Sequence, residues 1–283
     1  MSVAITAMRG QDIGWAVGLT GKECWGFVRS DFLRIMEHTP GGSFVARLGP
    51  RRVGMLTTMC HGRTCWIGNV VVERALRGKG IGKLLVESAL NFSALRGIKR
   101  TALLSRERTV GFYAGMGFHR DARYVGMGGV PDGSGNHPNV VPVTPALLTG
   151  VLALDRKACD EERRRLLRLL ARDFAKYFLA YVEKGCVLGF IVGKPGRGLV
   201  DVGPWVAVSG RPDVASALFR ALASSTGKRL EVYVPRKRRW VLNLLGELGL
   251  KPIAGFVEMH RGGRKRPSSA RVEMLAVAGL EKG

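Results

Sequence analysis

The segment Arg77-Gly78-Lys79-Gly80-Ile81-Gly82-Lys83 puts three glycines and three cations into one short turn. Before it, residues 66–72 form a β-branched run that ends in Val70, Val71 and Val72 and predicts a strand. After it, Ile81, Leu84, Leu85, Ala89 and Phe92 recur at the spacing of one helix face. Glycine lets a backbone come close to a ligand, and the N–H groups of a turn and of a helix start point toward a negative group. With Arg77, Lys79 and Lys83 adding charge, the segment is an anion cradle suited to a pyrophosphate.

Two familiar phosphate loops do not match. The dinucleotide fingerprint requires G-x-G-x-x-G, whereas these glycines are spaced G-x-G-x-G. A Walker A loop requires G-x-x-x-x-G-K-S/T; Gly78 to Gly82 is one residue short, and Leu84 stands where a hydroxyl is needed. The segment instead resembles the acetyl-CoA motif of the GNAT family of N-acetyltransferases, Q/R-x-x-G-x-G/A, matched by Arg77, Gly80 and Gly82. Downstream, Phe112-Tyr113-Ala114-Gly115-Met116-Gly117-Phe118 is similar to the family's Y-x-x-x-G-F ending. Arg106 and Thr109 depart from the Asn and Ala that the family often has there.

This resemblance implies an acetyl-CoA cosubstrate and no metal. It implies main-chain contacts from Val70, Val71 and Val72 to the pantetheine arm, and residues 77–83 (Arg77, Gly78, Lys79, Gly80, Ile81, Gly82 and Lys83) around the phosphates. Tyr113 falls where many members keep the general acid that protonates the departing thiolate. An aromatic beside Phe112 on a helix also suits a core, and the register to Gly117-Phe118 decides for catalysis. The base that deprotonates the amine has two candidates, Glu23 and Glu73, between which the sequence does not choose. Cys60-His61-x-x-x-Cys65 lacks a fourth metal ligand and is set aside as a metal site.

The elements that must position these residues are legible from pattern. Residues 2–7 alternate like a strand, and 11–19 and 30–37 suit short helices. Residues 43–48 and 52–59 flank Gly49-Pro50-Arg51 as a hairpin. A strand over 99–104, a helix over 108–116 and a strand from Phe118 follow. The glycine-rich stretch 128–138 marks a boundary. Beyond it come a helix over 161–173, a hairpin over 177–182 and 187–192, a strand over 199–208, a helix over 213–224, a strand over 229–234, a helix over 239–248 and a strand over 252–259.

The order repeats, so a duplicated α+β unit is expected: two tandem GNAT-like domains, each a mixed, mostly antiparallel central sheet flanked by helices. The boundaries expected are 1–128, a linker at 129–145, and 146–283. The second copy has Gly203-Pro204-Trp205 followed by Ser209-Gly210-Arg211 where the acetyl-CoA motif belongs, and Leu245 in place of the tyrosine. It resembles the C-terminal domain of tandem acetyltransferases and is expected to lack its own acetyl-CoA site.

Composition sets the outer limits. The chain has 283 residues, 46% of them apolar, enough for two cores and against disorder. Its 39 glycines follow no collagen period. Its longest apolar runs fall far short of the roughly 18–20 residues that span a bilayer. The start MSVAITAMRG lacks a signal peptide's pattern. Five scattered cysteines suggest a reducing compartment, so a cytoplasmic protein away from membranes is expected. A single Gln and five Asn hint at a thermophile. The net charge of +23 divides as +10 over residues 1–145 and +13 over 146–283, and it calls for an anionic partner. Nucleic acid is one candidate, through a GNAT scaffold bound to tRNA or a ribosomal component, and a CoA-sensing pseudoenzyme is another alternative. The basic runs Arg236-Lys237-Arg238-Arg239 and 261–266 are not explained by a cofactor.

Overall fold

A computed structural model of the chain describes residues 2–132, 135–159, 161–263 and 271–279. They form two compact units. The first takes the chain up to Arg120 and, again, Met259–Gly263; the second takes Asp121–Glu258 and the described residues after Gly263.

The first unit begins β1 (Val3–Ala7), α1 (Ile13–Gly21), α2 (Arg29–His38), β2 (Phe44–Leu48), β3 (Arg51–His61) and β4 (Thr64–Val72). It continues with α3 (Ile81–Leu95), β5 (Arg100–Arg106) and α4 (Val110–Ala114). Strands β1 to β5 lie in sequence order, antiparallel except for the parallel pair β4–β5. That pair is parallel because α3 carries the chain back between them, as a crossover must. Gly49 and Pro50 close the β2–β3 hairpin, with Gly49 at φ 58°, a conformation glycine takes without strain. Ile13, Ala16, Phe32, Val45, Met55 and Val71 pack one core cluster beneath α1 and α2.

The chain then runs through β6 (His119–Gly129), β7 (Val140–Pro142), α5 (Pro145–Ala158), α6 (Arg164–Asp173), β8 (Phe178–Glu183) and β9 (Cys186–Pro195). After these come β10 (Val200–Val208), α7 (Pro212–Thr226), β11 (Leu230–Pro235), α8 (Arg239–Glu247), β12 (Lys251–Gly262) and β13 (Val272–Ala276). In the second unit the strands lie in the order β6-β11-β10-β9-β8-β7, with the start of β12 beside β6 and with β13 against β10. The last residues of β12 lie beside β5 and complete the first unit's sheet. The fold is α+β with a mixed central sheet.

Trp205, Phe219, Leu218, Leu222, Val232 and Leu275 form the second unit's core. Helix α6 buries Leu166, Leu167, Leu169 and Leu170 and turns Arg164, Arg165 and Arg168 outward, as its period requires. Ahead of it, the guanidinium of the fully buried Arg163 is paired to Asp155, which keeps a buried charge from standing alone.

Some expected elements differ. Residues 129–145, expected as a linker, hold β7 and the first residue of α5. Helix α5 is started by Thr144, whose hydroxyl accepts the Leu147 N–H, and by Pro145 in the first helical position. The helix expected from residue 161 starts at Arg164. Gly133, Ser134, residues 264–266 of the second basic run, and the tail from Leu280 lie outside the described residues. The expectation of unpaired cysteines is corrected: Cys60 and Cys65 face each other across β3 and β4 and form a disulfide, leaving Cys24, Cys159 and Cys186 as free thiols. Sequence spacing hid this because the two lie five positions apart with no pairing partner marked; the hairpin brings their Cα atoms to 3.9 Å.

Candidate active site

The β4–β5 ladder begins at Thr64–Arg100 and ends at Ile67–Leu103, yet β4 runs on to Val72 and β5 to Arg106. The two strands splay, so among the described residues the edge of β4 facing away from β3 has no neighbouring strand from Gly68 onward. The cause lies in β4 itself. Its register against β3 shifts between Met55–Val71 and Thr57–Gly68, and Asn69 sits in this bulge at φ 52°. Asparagine tolerates that left-handed conformation better than most residues, and its Nδ2 donates to Thr57 Oγ1 at 3.0 Å. Sequence reasoning missed Asn69; the one polar residue inside a β-branched run was the signal.

Beyond Val72 the chain makes a single helical turn at Arg74–Leu76 and enters α3 through Gly78 (φ 78°) and Gly80 (φ 80°). Both positions require glycine for their backbone, and a Cβ at either would meet nothing within 4 Å, so the space over the turn is open. Among the described residues, the N–H groups of 78–83 find no acceptor in the protein, and α3 has no side-chain cap. Six consecutive donors at the positive end of a fifteen-residue helix make a strong anion site.

The cations around this turn have different tasks. Lys79 is exposed and without a partner among the described residues, and Lys83 lies 3.9 Å from Glu87 with both ends largely in solvent. Arg77 is engaged: its Nε donates to Val72 O at 3.0 Å and its Nη2 to Glu23 Oε1 at 2.8 Å. Arg74 reaches the same carboxylate oxygen at 3.1 Å and the Lys22 carbonyl at 3.2 Å. Burial pushes the Glu23 carboxyl up, but the hydrogen bonds from Arg74 and Arg77 outweigh it and hold the group below its ordinary value. Glu73 is bound at 2.5 Å by Arg51. Ile81 is buried and anchors the start of α3 in the core, and Val71 and Val72 are buried as well, so these residues face the open edge with main chain rather than side chain.

Helix α4 packs on the first turn of α3: a Cβ on Gly82 would lie 3.5 Å from the Phe112 ring. Tyr113 follows, its ring between Phe112 and Phe118 with centroids at 4.9 and 6.0 Å. The ring is buried and the hydroxyl has no hydrogen-bond partner among the described residues. Burial raises its pKa well above the ordinary phenol value, so the proton stays on at neutral pH. At the departures from the motif, Thr109 Oγ1 donates to the backbone carbonyl of Arg106 at 3.0 Å and lies 2.8 Å from Ser105 Oγ, so Thr109 and Ser105 form a pair of hydroxyls. No group of three metal-ligating side chains occurs among the described residues. No described helix is long and apolar enough to cross a membrane.

Comparison with known proteins agrees with this architecture. A model of the acetyltransferase (GNAT) family matches residues 19–118, and an acetyltransferase (GNAT) domain model matches 151–272. A search of curated proteins finds no match. Among solved structures, a candidate acetyltransferase from Pyrococcus horikoshii superposes with a TM-score of 0.83 at 23% identity, covering 99% of this chain and 96% of that one. A GCN5-related N-acetyltransferase from Sphaerobacter thermophilus gives 0.68 at 15% identity, over 94% and 96% of the two chains. A tandem GNAT protein of the clavulanic acid pathway gives 0.64 at 15%, over 94% and 100%. With the two family models together matching well over half of its length, the chain belongs to the GNAT superfamily and carries two such domains in tandem.

Proposed function

We propose that the chain is an acetyl-CoA-dependent N-acetyltransferase that acts from its first unit on a primary amine. The observation that carries this reading is the open edge of β4 leading into a turn whose N–H groups have no acceptor among the described residues. The amides of the pantetheine arm suit the main chain of Val70, Val71 and Val72. The pyrophosphate suits the N–H groups of residues 78–83, with Lys79 and Lys83 adding charge. Arg77, held by Val72 O and Glu23, fixes the shape of the turn.

In the reaction the uncharged amine attacks the thioester carbonyl, the C–N bond forms, and the C–S bond breaks to release a thiolate. Tyr113 is the hydrogen-bond donor for that sulfur. Its raised pKa keeps the proton on the phenol, so the hydroxyl stabilises the departing sulfur by a hydrogen bond, and the thiolate is protonated from the water that takes up the nitrogen's proton. Glu23 and Glu73 are both held by guanidiniums, and Glu23 is a weakened base, so the nitrogen's proton leaves to water. With a net charge of +23, a polycationic acceptor is repelled; an amino acid, an acidic peptide or a phosphate-bearing amine is favoured.

The engagement of both carboxylates also favours a second reading, a protein that binds CoA without turnover. Thiol release from acetyl-CoA across a panel of amines separates the two, with wild type compared to Gly80→Glu and Tyr113→Phe. Amine-dependent release lost in Gly80→Glu supports the enzyme; release retained in that variant overturns the site. Tight CoA binding with no release for any amine selects the second reading.

A further inference from the structure

The second unit repeats the geometry of the first up to one point. Its β10–β11 ladder is parallel and also stops short, at Val202–Val232, while β10 runs on to Val208 and β11 to Pro235. Here too the neighbouring antiparallel strand shifts register at the point of divergence, between Val202–Gly193 and Trp205–Ile191. The equivalent cleft in the first unit faces no further strand among the described residues; in the second unit β13 lies in it. Trp205, Val206, Ala207 and Val208 pair antiparallel with Ala276, Met274, Glu273 and Val272, on the edge opposite β9. Across the cleft the Val277 N–H donates to Tyr233 O of β11 at 3.2 Å. Leu275 and Ala276 are buried in the same core cluster as Trp205.

Two features hold the strand there. Gly203 has φ 140°, and a Cβ on it would fall 1.9 Å from the Val277 carbonyl oxygen, so this approach is open to glycine alone. The buried Lys194 ammonium donates to the carbonyl oxygens of Gly203 and Ala278 and pairs with Asp201 at 3.0 Å. One cation thereby ties the end of the inserted segment to the strand it lies on.

We propose that the second unit's cleft is a strand-binding site whose ligand is the chain's own segment 272–278, and that this segment stands where an acyl-CoA arm would otherwise lie. A splayed strand offers unpaired N–H and C=O groups to any partner that carries amides in an extended arrangement, whether a pantetheine arm or a peptide. In this unit the peptide is part of the chain and therefore present at a high effective concentration that a free cofactor does not match. The proposal rests on the second unit's own geometry and holds whether or not the first unit turns over substrate.

The test uses the full chain with a protease recognition sequence inserted within residues 264–270. After cleavage the severed C-terminal segment is expected to stay with the body through gel filtration in native buffer. Addition of Lys194→Met should release it, and in the uncut chain should raise hydrogen exchange at 272–276 and 205–208 at least tenfold while leaving β4 unchanged. A wild-type segment that separates at once in native buffer, or a Lys194→Met chain with unaltered exchange at both strands, overturns the proposal. Should Lys194→Met fail to fold, exchange of the wild-type chain with and without saturating CoA decides. New protection at 205–208 on adding CoA overturns this inference, and its absence supports it. Missing protection at 78–83 in the same experiment counts instead against the function proposed for the first unit.

Discussion

Replacing Gly80 with alanine perturbs the turn without filling it. At φ 80° and ψ −7° the backbone lies where a residue bearing a Cβ is strained, but that Cβ would meet nothing within 4 Å. The cost is therefore conformational, about 1–2 kcal/mol for a non-glycine residue in the left-handed region. Gly97 provides the control. It has φ 67° and equally open space, but it follows the far end of α3, about 22 Å of helix away from the turn. Both substitutions should lower the unfolding free energy by a similar amount in urea titrations. Only Gly80→Ala relieves its strain by swinging the N–H groups of 78–83 away from their common focus. At about 1.4 kcal/mol per factor of ten, CoA affinity by calorimetry should fall about 5–30-fold in Gly80→Ala and stay within about twofold in Gly97→Ala. Equal losses of stability with unchanged CoA affinity in both variants would refute the assignment of the turn as the phosphate cradle.

Tyr113→Phe removes a hydroxyl with no hydrogen-bond partner among the described residues, so thermal stability should hardly change while amine-dependent kcat drops about 10²-fold and CoA affinity is kept; unchanged kcat removes Tyr113 from the chemistry. Asp12 accepts from the Arg9 N–H, Arg47 and Arg52, and although burial raises its pKa these bonds lower it below the ordinary 3.8. Its contribution is therefore complete above about pH 4 and is lost as pH falls through the depressed value. Asp12→Asn should cost about 2 kcal/mol at pH 7 and much less near pH 2, read from urea unfolding at the two pH values. Iodoacetamide should label Cys24 and Cys186 in the native protein, because Cys159 is buried and pushed up to about 12 mainly by that burial. Denaturation should expose a third thiol, and reduction should bring the count to five; five labelled without reductant would exclude the Cys60–Cys65 bond.

The glycine turn ahead of α3 was readable because its geometry is local. Gly78, Gly80 and the start of α3 are neighbours in sequence, and both glycines take the left-handed conformation that their spacing suggests. Element order was readable for the same reason, since the period of α3 and the two-residue turn at Gly49-Pro50 are written within a few positions. What escaped depends on contacts distant in sequence. The tie of Arg77 to Glu23 spans 54 positions, so nothing in the local motif shows that this guanidinium also holds a carboxylate. The bulge at Asn69 needs Thr57 on the next strand, and the β13 insertion needs Gly203 and Lys194, neither of which carries a pattern. Helix α5 was hidden because the glycine-rich stretch before it reads as a linker that runs through its Thr144-Pro145 start.

The return of Met259–Gly263 to the first unit bears on how this protein is made. The Gly263 N–H donates to Lys99 O at 2.8 Å, and a Cβ on Gly262 would lie 2.4 Å from that same oxygen, so this late segment is fitted closely beside β5. A nascent chain emerging from the ribosome therefore exposes the outer edge of β5 until residues 259–263 have been translated as well. Between those two moments an unpaired edge is available to other chains. Emergence of residues 259–263, rather than of residue 120, is the event that lets the first unit finish folding.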